Sequence, residues 1–182
     1  MTRYISILRG INVGGKRKIL MADLKPLYEV LGFSNVNSYI QSGNIIFDSN
    51  TKESQKELGQ KIEQVINKAY GFDVPVIIRT VQEIEDAIAV NPYLKKQEVD
   101  IERLHLTYLA DIPSLEKLAQ LKDIDFSPDK FEIIGNDVFI YCSGKYSDSK
   151  LTNKFFESKL KITATTRNWK TVNKLIEIAT IK

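Results

Sequence analysis

The order in which strand-like and helix-like segments alternate occurs twice along the chain, and this repeat restricts the possible folds more than any other feature. In residues 1–90 the hydrophobic periodicity predicts strand, helix, strand, strand, helix, strand and helix, and the order returns in residues 103–182. Each half therefore contains the β-α-β-β-α-β order of a ferredoxin-like domain. The predicted fold class is α+β, with two ferredoxin-like βαββαβ repeats whose antiparallel sheets carry helices on one face.

Short sequence matches support an internal duplication. Each half has a Gly-Asn pair at a predicted hairpin turn, ending at Asn44 and at Asn136. Each half also has an arginine just before a predicted helix, Arg79 in the first and Arg167 in the second. Because the two pairs are separated by similar lengths of chain, we infer that one ancestral unit was copied.

The duplication divides the chain into three predicted parts. Residues 1–90 form the first repeat, residues 91–102 form a connector, and residues 103–182 form the second repeat. Since 43% of the 182 residues are hydrophobic, a packed core is expected.

Composition excludes several classes of protein. Cys142 is the only cysteine and His105 the only histidine, so no internal disulfide can form, and neither a structural zinc site nor a histidine-based triad is expected. Strand alternation places His105 on the opposite face from Leu104 and Leu106, which is compatible with an exposed position. Without a signal peptide, a long apolar run or a lipidation motif, we expect a cytoplasmic protein with no membrane partner. We predict no cofactor, and the oligomeric state stays open.

The strongest candidate for a site is the glycine-rich segment at residues 9–16, Arg-Gly-Ile-Asn-Val-Gly-Gly-Lys. The spacing from Gly10 to Lys16 matches the start of a phosphate-binding P-loop. However, Arg17 stands where that motif requires a serine or threonine, and the predicted sheet is not parallel. Two interpretations remain: the glycines let backbone N–H groups converge on an anion that nearby cations neutralise, or the segment is a tight turn with exposed basic side chains.

The second repeat has no such segment. After its first predicted strand it continues with Asp111-Ile112-Pro113, which contains neither glycine nor a cation. The glycine-rich loop is therefore not a requirement of the repeat, and this asymmetry favours a function for it.

Two further segments could contribute to a site. Ser42 and Asn44 flank a glycine in a predicted turn, and both are favoured turn residues. Arg167 precedes Asn168, a suitable helix N-cap, so it has either a structural role or a role in binding a carboxylate or phosphate. Arg79 is its counterpart in the first half and leaves the same alternatives.

Three motifs together resemble a known family. They are Arg-Gly-Ile-Asn-Val-Gly-Gly-Lys at residues 9–16, Tyr-Ile-Gln-Ser-Gly-Asn at residues 39–44 and Thr-Arg-Asn-Trp at residues 166–169. In this order, and across essentially the whole chain, they resemble the bacterial family called domain of unknown function 1697. Lys170 departs from the asparagine usual in that family. The resemblance implies a two-part α+β protein of ferredoxin-like repeats and brings no established activity.

The sequence supports three hypotheses about function. The first is binding of an anionic small molecule, a nucleotide or a phosphorylated metabolite, at the glycine-rich loop. Its candidate binding residues are Arg9, Asn12, Gly14, Gly15 and Lys16, with Ser42, Asn44, Arg79 and Arg167 as further contributors. The second is weak nucleic-acid binding by residues 141–182, which carry nine basic and three acidic side chains. The third, a hydrolase or transferase of a phosphorylated substrate, would need carboxylates near the loop, where only Asp23 and Asp48 are close in sequence.

Overall fold

The computed structural model describes residues 1–95 and 99–181, which contain two four-stranded antiparallel sheets with flanking helices. The predicted α+β class and the duplicated βαββαβ order are confirmed. The predicted connector at residues 91–102 includes residues 96–98, which lie outside the described residues, as does residue 182.

The first sheet has the strand order β2-β3-β1-β4. The elements of the first repeat are β1 (Thr2–Leu8), α1 (Met21–Val30), β2 (Ser34–Tyr39), β3 (Asn44–Ser49), α2 (Gln55–Tyr70), β4 (Val76–Thr80) and α3 (Val81–Val90). The central strand β1 pairs antiparallel with β3 and β4, so that Ile5 lies opposite Ile46 on one side and Arg79 on the other. This is the sheet topology expected of a ferredoxin-like unit.

The second sheet repeats this order as β6-β7-β5-β8. Its elements are β5 (Leu104–Leu109), α4 (Leu115–Ala119), β6 (Lys130–Ile134), β7 (Asp137–Tyr141), α5 (Asn153–Leu160), β8 (Ala164–Asn168) and α6 (Trp169–Thr180). Short 3-10 turns at Ile101–Arg103 and Tyr146–Asp148 were not predicted from the sequence.

Helix termini follow the capping residues in the sequence. Thr80 and Glu83 have the spacing of a capping box and form it: the Glu83 carboxylate accepts the Thr80 N–H at 2.7 Å, and the Glu83 N–H donates to the Thr80 hydroxyl at 3.2 Å. Gly71 ends α2 in the left-handed region at φ 74°. Asn168 accepts the Thr171 N–H at 2.8 Å, which confirms it as a cap although it is also the last residue of β8.

The helices and strands pack into two compact units. The first contains Met1–Glu85 together with residues 175–181, and the second contains the described residues of Asp86–Lys174. In the first unit, Tyr28, Phe33 and Phe47 form an aromatic cluster between α1 and the sheet. The corresponding cluster in the second unit joins α5, β6 and the segment before β6, and consists of Phe126, Phe131, Phe155 and Phe156.

Both faces of β1, the central strand of the first sheet, are buried. Tyr4 and Leu8 on β1 belong to the core that packs against α1 and α2. Ile5 and Ile7 alternate with them, point to the other face, and are also fully buried. Alternation along these strands therefore does not separate buried from exposed side chains.

Both faces of β5 are buried as well, so the expected exposure of His105 is wrong. His105 is only 9% exposed, and its ring stacks on Tyr146 with 4.5 Å between ring centroids. Leu104 and Leu106, on the opposite face of β5, are buried as well. Burial lowers the pKa of His105, because the protonated ring would lose its hydration.

The connection between the first strand and the first helix differs between the repeats. Residues 9–20 join β1 to α1, whereas residues 110–114 suffice to join β5 to α4. The glycine-rich segment thus occupies the longer of two equivalent connections. Of the helices in residues 1–95 and 99–181, none is long and apolar enough to cross a membrane.

Candidate functional site

The glycine-rich segment forms a short β-hairpin. The Asn12 N–H donates to the Arg17 carbonyl at 3.1 Å, and the Lys16 N–H donates to the Val13 carbonyl at 3.1 Å. Gly14 and Gly15 occupy the tip with φ values of 58° and 74°. Two successive residues with positive φ are what a type I′ turn requires, and glycine adopts them without steric cost. The segment is therefore a hairpin, not a P-loop that continues into a helix.

The Asn12 side chain holds the base of this hairpin. Its Nδ2 donates to the Ile19 carbonyl at 2.9 Å and to the Gln41 carbonyl at 2.8 Å, and its Oδ1 accepts the Ile19 N–H at 2.9 Å. These three bonds occupy the amide. Asn12 therefore shapes the loop, and it also lines the depression beside the hairpin, so its part in ligand binding stays a prediction.

Close packing of Gly43 fixes the loop against the β2–β3 turn. Gly43 has φ 79°, and a Cβ atom there would lie 2.7 Å from both Leu8 Cβ and Ile11 Cδ1. The Gly43 carbonyl also accepts the Leu8 N–H at 2.8 Å. Ile11 and Ile19, at the two ends of the loop, are buried in the core of the first unit. Thus the glycine-rich motif and the Gln-Ser-Gly-Asn motif form one packed structure.

Asn44, a predicted contributor, closes that turn from within. It is fully buried, and its Nδ2 donates to the Tyr39 carbonyl at 3.1 Å and to the Ser42 hydroxyl at 3.0 Å. Ser42 is half-buried. Both residues lie beside Gln41, whose carbonyl bonds to Asn12, so these predicted residues share one region with the hairpin.

The region has a uniformly positive set of charges. Lys16, Arg17 and Lys18 are exposed and Arg9 is half-buried, while residues 1–22 and 30–47 contain no aspartate or glutamate. The Arg17 guanidinium lies close to Gly10, since a Cβ atom placed on Gly10 would be 3.4 Å from Arg17 Nη1. Three exposed cations in succession on one loop attract an anion.

The two acids nearest in sequence are engaged elsewhere. Asp23 accepts the Tyr70 hydroxyl at 3.1 Å. Asp48 accepts Arg3 Nε at 2.8 Å and Asn35 Nδ2 at 2.8 Å, and the Arg3 hydrogen bond holds the pKa of Asp48 below its usual value. Both carboxylates therefore have partners outside the hairpin, and a catalytic role for either stays a prediction.

A shallow depression of about 220 Å³ lies beside the hairpin. Its walls come from the glycine-rich segment and from the turn at Gln41, which the Asn12 side chain joins. The lining residues are Asn12, Gly15, Lys18, Ile19, Leu20 and Gln41. Lys18, Leu20 and Gln41 were not among the predicted site residues. Lys18 continues the basic run of Lys16 and Arg17, which was the available signal, whereas the concavity itself depends on segments distant in sequence.

Arg79 and Arg167 have the same local geometry in the two repeats. Arg79 is 3% exposed on β4, and its Nη1 donates to the Ile78 carbonyl at 3.1 Å. Arg167 is partly buried on β8, and its Nη1 donates to the Thr166 carbonyl at 2.9 Å. Burial lowers the pKa of Arg167 to about 10. The matching geometry supports the duplication, and contributions of either arginine to ligand binding stay predictions.

The basic C-terminal segment is partly engaged in other contacts. Lys170 forms an ion pair with Glu102, with 2.5 Å between Nζ and Oε1. Lys150, Lys154 and Lys159 lie exposed at and near α5. Over residues 1–95 and 99–181, no group of three or more histidine, cysteine, aspartate or glutamate side chains is arranged to hold a metal ion.

Comparisons with known proteins agree with this architecture. A family model described as "Protein of unknown function (DUF1697)" matches residues 1–139. The fold is similar to that of the conserved bacterial protein SP0830 from Streptococcus pneumoniae, with 25% sequence identity and a TM-score of 0.77, over 98% of this chain and 99% of that one. No curated protein matches the chain.

Proposed function

The chain belongs to the DUF1697 family, whose function is unknown, and we propose that it binds an anionic small molecule, a nucleotide or a phosphorylated metabolite, at the glycine-rich hairpin. The observation that carries this proposal is the depression beside the hairpin, which Lys18 lines and which no acidic side chain lines among residues 1–95 and 99–181. A phosphate in this position would be neutralised by cations and would meet no like charge.

Each group in the region has a distinct part in the proposal. Lys18 contacts the anion in the depression, while Lys16 and Arg17 neutralise its remaining charge from the hairpin. Gly15 has no side chain, so a ligand can approach the backbone at the tip. Asn12 and Gly43 act indirectly, since they hold the hairpin and the Gln41 turn together.

Isothermal titration against nucleotides and sugar phosphates tests this proposal. We expect Lys16→Ala and Lys18→Ala each to weaken binding about threefold to tenfold, because each removes about 1 kcal/mol of attraction near the surface. Lys56→Ala, an exposed lysine on α2, is the matched control and should bind like the wild type. If no compound in the panel gives binding heat with the wild-type protein, the proposal is wrong.

A second candidate function is weak nucleic-acid binding, which the exposed lysines around α5 support. Gel-shift assays at low salt would show a complex that dissociates steeply as salt is added. Lys154→Ala combined with Lys159→Ala should weaken it. Free nucleic acid at every protein concentration would exclude this function.

A further inference from the structure

We infer that the anion bound at the hairpin is a nucleoside monophosphate rather than a sugar phosphate or inorganic phosphate. The inference rests on the proposed function and specifies its ligand. The observations behind it are the uncharged side chains near the depression. Binding of inorganic phosphate alone would leave these apolar and amide groups without a contact to the ligand.

Leu20, an exposed apolar residue, lines the depression, and two more exposed apolar residues, Val13 and Ile40, adjoin its lining residues in sequence. Val13 is 66% exposed, Leu20 is 69% exposed and Ile40 is 47% exposed. The Asn12 side chain bonds to Ile19 and Gln41, and each exposed apolar residue adjoins one of these three residues in sequence. Val13 follows Asn12, Leu20 follows Ile19, and Ile40 precedes Gln41. Leu20 lines the same depression as Lys18, so it offers an apolar contact on which a flat, weakly polar ring can rest beside a cation.

Gln41 supplies hydrogen-bonding groups in the same place. It lines the depression, and its amide carries two donor hydrogens and an acceptor oxygen. Glutamine pairs with the edge of a base through such groups, as it does with adenine. A sugar phosphate would use the amide but would leave the aliphatic side chains uncovered.

The backbone that presents Gln41 is strained. Ile40 has φ 49°, which is a rare conformation for a β-branched residue and costs about 1–2 kcal/mol. The strained conformation places the Gln41 carbonyl on Asn12 Nδ2. The structure thus holds Gln41 next to the hairpin at an energetic cost.

The size of the depression limits the ligand to one base. At about 220 Å³ it is smaller than the pockets of about 300–1,000 Å³ that enclose drug-sized ligands. A dinucleotide cofactor would leave most of its surface in solvent. A mononucleotide would place its phosphate near Lys18 and its base on Leu20.

Titration of the wild-type protein with inorganic phosphate, ribose 5-phosphate and the nucleoside monophosphates tests the inference. We expect at least one nucleoside monophosphate to bind about tenfold more tightly than ribose 5-phosphate. Leu20→Ser should remove this difference while leaving the affinity for ribose 5-phosphate unchanged. Val30→Ser is the matched control, because Val30 is also highly exposed but does not line the depression.

The outcomes separate the inference from the proposed function. If ribose 5-phosphate binds as tightly as every nucleotide, or if Leu20→Ser weakens both classes of ligand equally, the ligand class is wrong and anion binding stands. If no nucleoside monophosphate binds the wild-type protein, the inference is wrong, and if no nucleotide or sugar phosphate binds it, the proposed function is wrong as well. Circular dichroism of Leu20→Ser confirms that the variant is folded, and Gln41→Ala provides a second test, with the same loss of preference expected.

Discussion

Replacing Gly43 by alanine tests whether this glycine joins the two N-terminal motifs. The new methyl carbon would lie 2.7 Å from Leu8 Cβ and from Ile11 Cδ1, closer than non-bonded carbons approach. Its neighbours belong to a strand and to the buried base of the hairpin, so they have little freedom to move. The φ of 79° adds strain that any side chain would incur.

The second repeat offers a matched control. Gly135 occupies the corresponding hairpin turn with φ 61°, and a Cβ atom there would have no neighbour within 4 Å. Gly135→Ala should therefore cost only the backbone strain, about 1 kcal/mol. Gly43→Ala should cost that amount plus an overpacking penalty of about 1–3 kcal/mol, for a total of about 2–4 kcal/mol.

Thermal unfolding measures the difference. At about 2–4 °C per kcal/mol for a protein of this size, Gly135→Ala should lower the Tm by about 2–4 °C, and Gly43→Ala should lower it by about 5–15 °C. The difference between the two Tm losses measures the overpacking at Gly43. Equal losses for both, or a Gly43→Ala variant as stable as the wild type, would show that the close contact with Leu8 and Ile11 does not constrain the turn.

Two pH-dependent predictions follow from buried titratable groups. Because the Arg3 hydrogen bond lowers the pKa of Asp48, the stabilisation is present above the unfolded pKa of about 3.9 and is lost as pH falls through the folded value. In urea unfolding at pH 7, Asp48→Asn should have a free energy of unfolding about 1.5–3 kcal/mol below that of the wild type. This difference should narrow below about pH 4. A difference that does not change with pH would contradict the ion pair between Arg3 and Asp48. Because burial lowers the pKa of His105, the unfolded state binds more protons below about pH 6.5, so acidification destabilises the wild type. The Tm of His105→Gln should fall less than that of the wild type between pH 7 and pH 5, and parallel curves would refute the assignment.

Much of the fold could be predicted from local sequence signals. The capping pair at Thr80 and Glu83, the left-handed Gly71 and the two Gly-Asn turns all act over a few residues, and each determines where an element begins or ends. The environment of His105 could not be predicted in this way. Alternation identifies a buried face only when the other face meets solvent, and here Leu104 and Leu106 are buried as well.

The candidate site was less accessible to sequence reasoning than the fold. The basic, glycine-rich composition indicated the hairpin, but it did not reveal that Asn12 uses its amide on Ile19 and Gln41. The basic run of Lys16 and Arg17 extends to Lys18, but nothing local indicated Leu20, which became a candidate because a distant turn forms the opposite wall of the depression. Hydrogen bonds between segments far apart in sequence leave no local pattern.

The burial of Ile11 and Ile19 couples occupancy of the hairpin to the unfolding equilibrium of the first unit. Since both anchors belong to its core, the hairpin cannot keep its shape once that core unfolds. A compound that recognises the folded hairpin must then stabilise the protein, by about 2.7 kcal/mol at a hundred times its Kd. The Tm of the protein therefore rises when a ligand binds the hairpin, and a thermal-shift screen of unlabelled metabolites can find that ligand without an assay of activity.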